Sequence, residues 1–275
     1  MGTTTDIAIQ QFYDEFIVAY QQNEKLAGTS LYIRGALGDS YKWPHIGVAD
    51  MSARGGYNTP LAATPLSKTQ QTTTYTERAL RTVLGKDEKC LTNVDERNIW
   101  VQVHAGAVGR YKDSLKITAL DAVTTNVIPV GTTNMSLEKV LEAKKMLMAA
   151  NAPANAKTIF AIHASQWQAL MKLPAFTSND YFMKTLLNGS IDGFLGMKWV
   201  VFGDSTVGGL PKVGNNRDCF MWVDSAIGCV NKYEVQSHVW YSDNDISFIA
   251  DSIIEEGASV LDENGVVKIV CDETK

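Results

Sequence analysis

The run from Asn93 to Asp121, NVDERNIWVQVHAGAVGRYKDSLKITALD, constrains the fold more than any other stretch of the chain. No proline interrupts it. Asn93 is placed to cap a helix, Glu96 stands where a capping-box acid belongs, and Asp95 and Glu96 put negative charge at the positive end of the helix dipole. Trp100, Val103, Ala107, Tyr111, Leu115 and Ala119 recur at steps of three and four, which predicts one apolar stripe. At about 1.5 Å per residue the span from 93 to 121 reaches about 44 Å, more than a compact domain needs. Small residues from Ala105 to Gly109 predict that another segment packs close at mid-helix. Each glycine there costs about 1 kcal/mol of helix propensity, so packing must compensate. Arg97, Arg110, Lys112, Asp113 and Lys116 exclude a membrane span. The stripe lasts too few heptads for a coiled coil. The reading is a spine on which separate elements hang.

Two stretches lack a core of their own. Residues 6 to 26 predict a helix whose face of Ile9, Phe12, Phe16 and Tyr20 must be covered by something. Residues 41 to 78 predict a long polar ribbon: an extended YKWPHIGVAD, a loop tip SARGGYNTP and a Thr-rich return, LSKTQQTTTYTER. An isolated two-stranded ribbon is marginal in water, so this one is read as an arm ordered by lying on a neighbouring molecule. Trp43 is the aromatic exception within it.

After the spine the chain alternates. Val123 to Thr133 predicts a strand and connection, and Ser136 to Ala150 a helix stopped by Asn151 and Pro153. Lys157 to His163 reads as a buried strand, and Ser165 with Gln168 as the capping box of a short helix. A helix is expected over 179–188, then strands at 197–202, 218–224 and 228–241, with a glycine-bearing loop from Gly203 to Asn216. Ile246 to Ile253 reads as a strand, and Asp262-Glu-Asn-Gly265 as the turn of a closing hairpin. This order makes an α+β chain with a helix–strand subdomain over roughly 131–242.

Little of the sequence carries chemistry. A net charge of −5 without a basic run gives no support for phosphate-neutralising DNA binding. The N-terminus lacks the basic and apolar regions of a signal peptide, and no long apolar run suggests a membrane helix. Cys90, Cys219, Cys229 and Cys271 are scattered without a CxxC, which points to reduced thiols rather than zinc or disulfides. GxSxG, HExxH, P-loop and Rossmann patterns do not occur. The four histidines lack metal-pair spacing; His104 and His163 read as satisfied structural residues. One enzymatic alternative stays open, a hydrolase using Cys219 or Cys229 with His163 or His238 as base.

Taken in order, these parts resemble the Hong Kong 97-like major capsid proteins of tailed phages. The text DER…GR…ALDA in the spine, GSIDGFLGMKWVVF after the short helix, and GASVLDENGVVKIVCDE at the end are similar to segments of that family. The likeness runs from about Gly28 to Glu273. It implies an N-terminal arm (1–40), an E-loop (41–78), a P-domain (79–130 and 243–275, with spine helix 93–121) and an A-domain (131–242). It implies a structural protein with no catalytic, metal or cofactor residues, assembling through hexamers and pentamers into an icosahedral shell around packaged DNA.

The implied partners are further copies of itself, a portal protein, a possible decoration protein and a separate scaffold protein. The scaffold is expected because only about forty residues precede the arm. No membrane is involved, and the shell is expected to assemble in the bacterial cytoplasm. Lys42 and Lys68 carry no motif that identifies a cross-linking partner.

Candidate intersubunit contacts are Trp43, Ile46, Arg54, Tyr57 and Lys68 on the E-loop and Phe12, Phe16 and Tyr20 on the N-arm. Glu96, Arg97, Arg110 and Asp113 are salt-bridge candidates on the spine, although an exposed pair is worth under about 1 kcal/mol. The loop from Gly203 to Gly214 is expected at a capsomer centre. An encapsulin-like cellular shell of the same fold is the second reading.

Overall fold

The computed structural model describes residues 22–51, 63–85, 96–152, 156–173 and 194–274. The expected N-terminal helix, loop tip and helix over 179–188 lie wholly or mostly outside these residues. Residues 22–26, the end of the first, are non-helical.

Two larger sheets and a ribbon are arranged about the spine. The spine helix, α1, runs Glu96–Asp121, about 39 Å. Three short early strands are β1 (Leu31–Ile33), β2 (Ser40–Ile46) and β3 (Lys68–Thr74), and β4 (Thr76–Gly85) leads toward the spine. After it come β5 (Val127–Ile128), α2 (Leu137–Ala149), β6 (Thr158–His163), α3 (Ala164–Met171), β7 (Met197–Phe202), β8 (Lys212–Val213) and β9 (Asn216–Val223). The long pair β10 (Ile227–Ser242) and β11 (Ser247–Val260) precede β12 (Val266–Asp272).

The six-stranded sheet has the order β5-β12-β9-β6-β7, with β8 on the edge of β9. Its central strands β6 and β9 are buried nearly throughout, so they read as continuous apolar runs rather than alternating ones. Phe160, Phe202, Phe220 and Trp222 fill the core with Leu120 of α1, Leu147 of α2 and Leu170 of α3. Trp222 satisfies its indole by donating Nε1–H to the Thr29 carbonyl at 2.9 Å. Helix α2 lies within the expected span and is capped by Ser136, whose hydroxyl accepts from the Lys139 amide. It ends at Asn151 in the left-handed region, φ 55°.

The four-stranded sheet has the order β1-β10-β11-β4 and packs α1 against β11. The third sheet is the ribbon, β2 against β3, in register from Ser40↔Thr74 to Ile46↔Lys68.

Several expectations are corrected. The closing hairpin does not form: β11 pairs with β10 and β4, whereas β12 crosses to the other sheet and pairs with β9 and β5. The Asp262–Gly265 turn is a 3-10 turn capped by the Asp262 carboxylate, and it carries the chain from one sheet to the other. Helix α3 is capped by the His163 side chain, not by Ser165, so the Ser165–Gln168 capping box is absent.

The spine is buried along a different line from the one its apolar residues trace. His104, Gly109, Asp113, Lys116, Ile117 and Leu120 face inward, while Val103, Ala107, Tyr111, Leu115 and Ala119 are only half-buried or exposed. The buried line is partly polar, and partners distant in sequence satisfy it. His104, for example, bridges the Thr82 hydroxyl (3.0 Å) and the Ser252 hydroxyl (2.8 Å).

Candidate assembly interface

At mid-spine the chain lays a strap across the helix. Gly109 makes room for it: a Cβ there would stand 2.6 Å from the Glu24 amide nitrogen. Next to this gap Asp113, fully buried, accepts from the amides of Lys25 (2.9 Å) and Leu26 (3.0 Å) and from Gln22 Nε2 (3.1 Å). Burial pushes its carboxyl up, and these donors pull it back toward ionisation. Lys116 Nζ donates to the Leu26 carbonyl at 2.7 Å and meets Glu24 at 3.3 Å. Gln22 Nε2 also donates to the Gly208 carbonyl at 2.7 Å, and Arg110 donates to the Gln22 carbonyl at 3.3 Å. The strap thus ties α1 to the glycine loop.

The ribbon is fixed at its base and bare beyond it. Trp43 is half-buried. Its Nε1–H donates to Thr73 Oγ1 at 2.9 Å, and Thr73 in turn bonds the Ser259 hydroxyl of β11. The indole lies over Gly228, where a Cβ would come within 2.6 Å of it, and meets Tyr41 edge-on at 5.0 Å. Past this anchor Ile46 is 60% exposed, Val48 96%, and Met51 completely. Single exposed apolar residues are ordinary, but three on one protruding arm form an unpartnered surface.

The corner beyond β9 holds the densest charge. Arg217, buried, donates Nε–H to Glu273 (2.8 Å), Nη2–H to Asp204 (2.7 Å) and Nη1–H to the Leu210 carbonyl (3.1 Å). Ser165 also donates to Glu273 at 2.9 Å. Burial alone raises the Glu273 carboxyl, but Arg217, Lys212 and Ser165 outweigh it and hold the group at about 2. The cluster pins the glycine loop to the end of the chain.

The sequence-derived candidates fall into three groups. Ile46 and Lys68 are exposed on the ribbon. Trp43 and Arg110 are engaged within their own chain, and Asp113 is a correction: with no exposed surface and its oxygens spent on the strap, it is an internal clamp, not a salt-bridge partner for a neighbour. Phe12, Phe16, Tyr20, Arg54 and Tyr57, and the side chains of Glu96 and Arg97, lie outside the described residues. The small residues around Gly109 predicted a close-packed segment at mid-helix, but not which one, because the partners of Asp113 stand some ninety positions away.

The hydrolase alternative finds no supporting site. Cys219 and Cys229 are buried, burial pushes both thiols up, and Cys271 raises Cys219 further. Burial, then the nearby Arg217, lowers His163, whose Nδ1 caps α3. Among the described residues no cluster suits a metal ion, and no helix is long and apolar enough to cross a membrane.

Comparison with solved structures finds the same fold in shell proteins. A chain from Mycobacterium phage Che8 superposes with a TM-score of 0.77 at 13% identity, covering 99% of both chains. A cyanophage P-SCSP1u capsid chain gives 0.74 at 14%, covering 98% of this chain and 95% of its own. A cyanophage Pam1 capsid chain gives 0.72 at 14%, covering 99% and 98%. The architecture is the Hong Kong 97-like capsid fold. No curated protein matches the chain. The model of a family described as phage capsid protein matches residues 4–273, nearly the whole length, and the chain therefore belongs to that family.

Proposed function

We propose that this chain is the repeating unit of an icosahedral phage head, closing through hexamers and pentamers around double-stranded DNA. It is a structural coat protein of the virion, not an enzyme. The observation that supports a ring-forming contact is the ribbon, anchored at Trp43 and bare from Ile46 to Met51. An arm that meets a different surface on the next copy makes a heterologous contact, which closes into rings when the rotation permits. Ile46 and Lys68 are the described ribbon residues assigned to that contact, with Arg54 and Tyr57 nearer the tip. Phe12, Phe16 and Tyr20 are assigned to an N-terminal arm leaving the strap, and Glu96 and Arg97 to pairing along the spine.

Residues 79–130 and 243–275, with α1, are assigned to the P-domain and 131–242 to the A-domain, and the glycine loop beside the strap is assigned to a capsomer centre. A net charge of −5 suits a container that encloses DNA without gripping it. Assembly in the bacterial cytoplasm involves a scaffold protein, a portal and, on some heads, a decoration protein.

The test replaces residues 47–67 by an Asn-Gly turn, which closes Ile46 onto Lys68 as a two-residue hairpin. Electron microscopy of the parent chain is expected to show closed shells or capsomer rings. The shortened chain is expected to fold and remain monomeric. Shells from the shortened chain would remove the arm from the mechanism, and a parent chain that stays monomeric under every condition would remove assembly itself.

A further inference from the structure

We infer that the distal half of β10 is a second self-association surface, on which the same edge of another copy adds antiparallel about a twofold axis. This rests on the assembly reading above and names a contact separate from the ribbon. Strand β10 is covered on its outer side only at its start: β1 pairs with Gly228, Cys229 and Val230. Gly35 and Ala36 then bond the side chain and carbonyl of Asn231. Beyond Asn231 no described strand pairs that side, while β11 continues on the inner side to Ser242. From Glu234 to Tyr241 every residue is exposed, on both faces, because α1 covers β11 and β4 but does not reach across β10.

The two edges of this sheet differ in chemistry. The other edge, β4, carries Glu77, Arg78 and Arg81 on an exposed strand, the charge pattern that blunts edge-to-edge pairing. The β10 edge reads Val235-Gln-Ser-His-Val-Trp-Tyr-Ser242, with no proline and no acidic, lysine or arginine residue. Val239 is half exposed, and Val235, Trp240 and Tyr241 more than a third. Such a segment adds strands readily, so a chain that keeps it bare must cover it in its working state.

Charge and symmetry select a second β10 as the occupant. A twofold axis normal to the sheet keeps each face on its own side, so paired residues must share a face. The register that places His238 opposite its copy meets this condition. It sets Gln236 opposite Trp240 and Ser237 opposite Val239, both within the regular part of β10. Over this regular part of β10, Gln236 to Trp240, no acidic, lysine or arginine residue enters the seam; Lys232 and Glu234 lie before the irregular stretch, and Asp243 and Asp245 lie in the turn after β10. A β4 edge in the same place would set Arg78 and Arg81 against a strip that offers them no acid.

The test is a His238→Cys chain assembled and then oxidised, with Ala79→Cys on the β4 edge as control. Directly opposed strand residues lie within disulfide reach, so H238C is expected to give at least about tenfold more cross-linked dimer than A79C. In parallel, those amide hydrogens of 235–242 that point away from β11 are expected to exchange fast in the unassembled chain and at least about tenfold more slowly after assembly; only these outward amides are scored. Shells that form normally while H238C cross-links no more than A79C overturn the pairing and leave the assembly reading standing. Slow exchange already present in the monomer also overturns it, because the chain's own residues then cover the edge. A chain that never assembles overturns both.

Discussion

Strands β9 and β10 are neighbours in the chain and opposites in environment. From Arg217 to Val223, β9 is buried between β12 and β6, and its aromatic residues are held by α1, α2 and α3. β10 starts equally buried, then leaves the core at Asn231 and runs on exposed as far as Tyr241. The six-stranded sheet is complete in one chain, and its stability is a property of the monomer. The four-stranded sheet, with the strap and the ribbon, leans more on polar contacts and ends in bare surface, which is where the proposed contacts with other copies fall. The same aromatic residue types serve different ends on the two sides.

The largest expected effect tests that contrast directly. Trp222→Ala removes a fully buried indole and leaves the Thr29 carbonyl without its donor. It should cost about 3–5 kcal/mol in urea unfolding of the monomer. Trp240→Ala, on the exposed part of β10, removes a partly exposed ring and its contact with Arg81 and should cost about 1 kcal/mol. Equal losses at the two sites would show that both sheets share one cooperative core.

Next comes the strap. Asp113→Ala strips the Lys25 and Leu26 amides of their acceptor and leaves buried Lys116 with less counter-charge, which should cost about 3 kcal/mol or more. Faster amide exchange at residues 25 and 26 than in the six-stranded sheet would locate the loss. A global change without local opening would show that the strap is not a separate unit. Gly109→Ala is smaller and decides a sign. Helix propensity favours alanine by about 1 kcal/mol, while a Cβ 2.6 Å from the Glu24 nitrogen forces the strap away at a cost of about 1–3 kcal/mol. Net destabilisation is expected, and a stabilised variant would mean that the strap yields freely.

The parts legible in the sequence were those whose causes are local. The spine, α2, the strands around 158–163 and 197–202, and the polar ribbon all follow from periodicity and turn chemistry. What failed to show there depends on residues far apart. The buried line of α1 runs through His104, Asp113 and Lys116 because Ser252, Leu26 and Glu24 satisfy them, and no window on the helix contains those partners. Asp262-Glu-Asn-Gly265 reads as a hairpin turn in isolation, but the strand after it finds a better-buried place between β5 and β9. The glycine of β10 that admits Trp43 gave no sign either, since a close approach leaves no local trace.

The smallest effects should come from two carboxylates, one in each half of the molecule, whose pH dependences have opposite signs. Glu273, at the corner of the six-stranded sheet, is held at about 2 against an ordinary value of 4.5. The unfolded chain therefore binds more protons between these values, and the stability Glu273 contributes is complete above about pH 4.5 and is lost as the pH falls toward 2. Glu256, under the four-stranded sheet, is raised above 4.5 by burial, which Lys112 and Lys116 only partly offset. Here the folded chain holds the proton more tightly, so this group favours folding at low pH and its contribution falls as the pH rises past 4.5. Other carboxylates titrate in the same range, so each effect is read as the difference between parent and variant urea midpoints across pH. Glu273→Gln should narrow the parent's advantage only on the acid side, and Glu256→Gln should shift the difference in the variant's favour only as pH rises above 4.5. If both difference curves bend the same way, the two sheets present the same electrostatic environment, and the contrast between a closed half and an open half reduces to exposure alone.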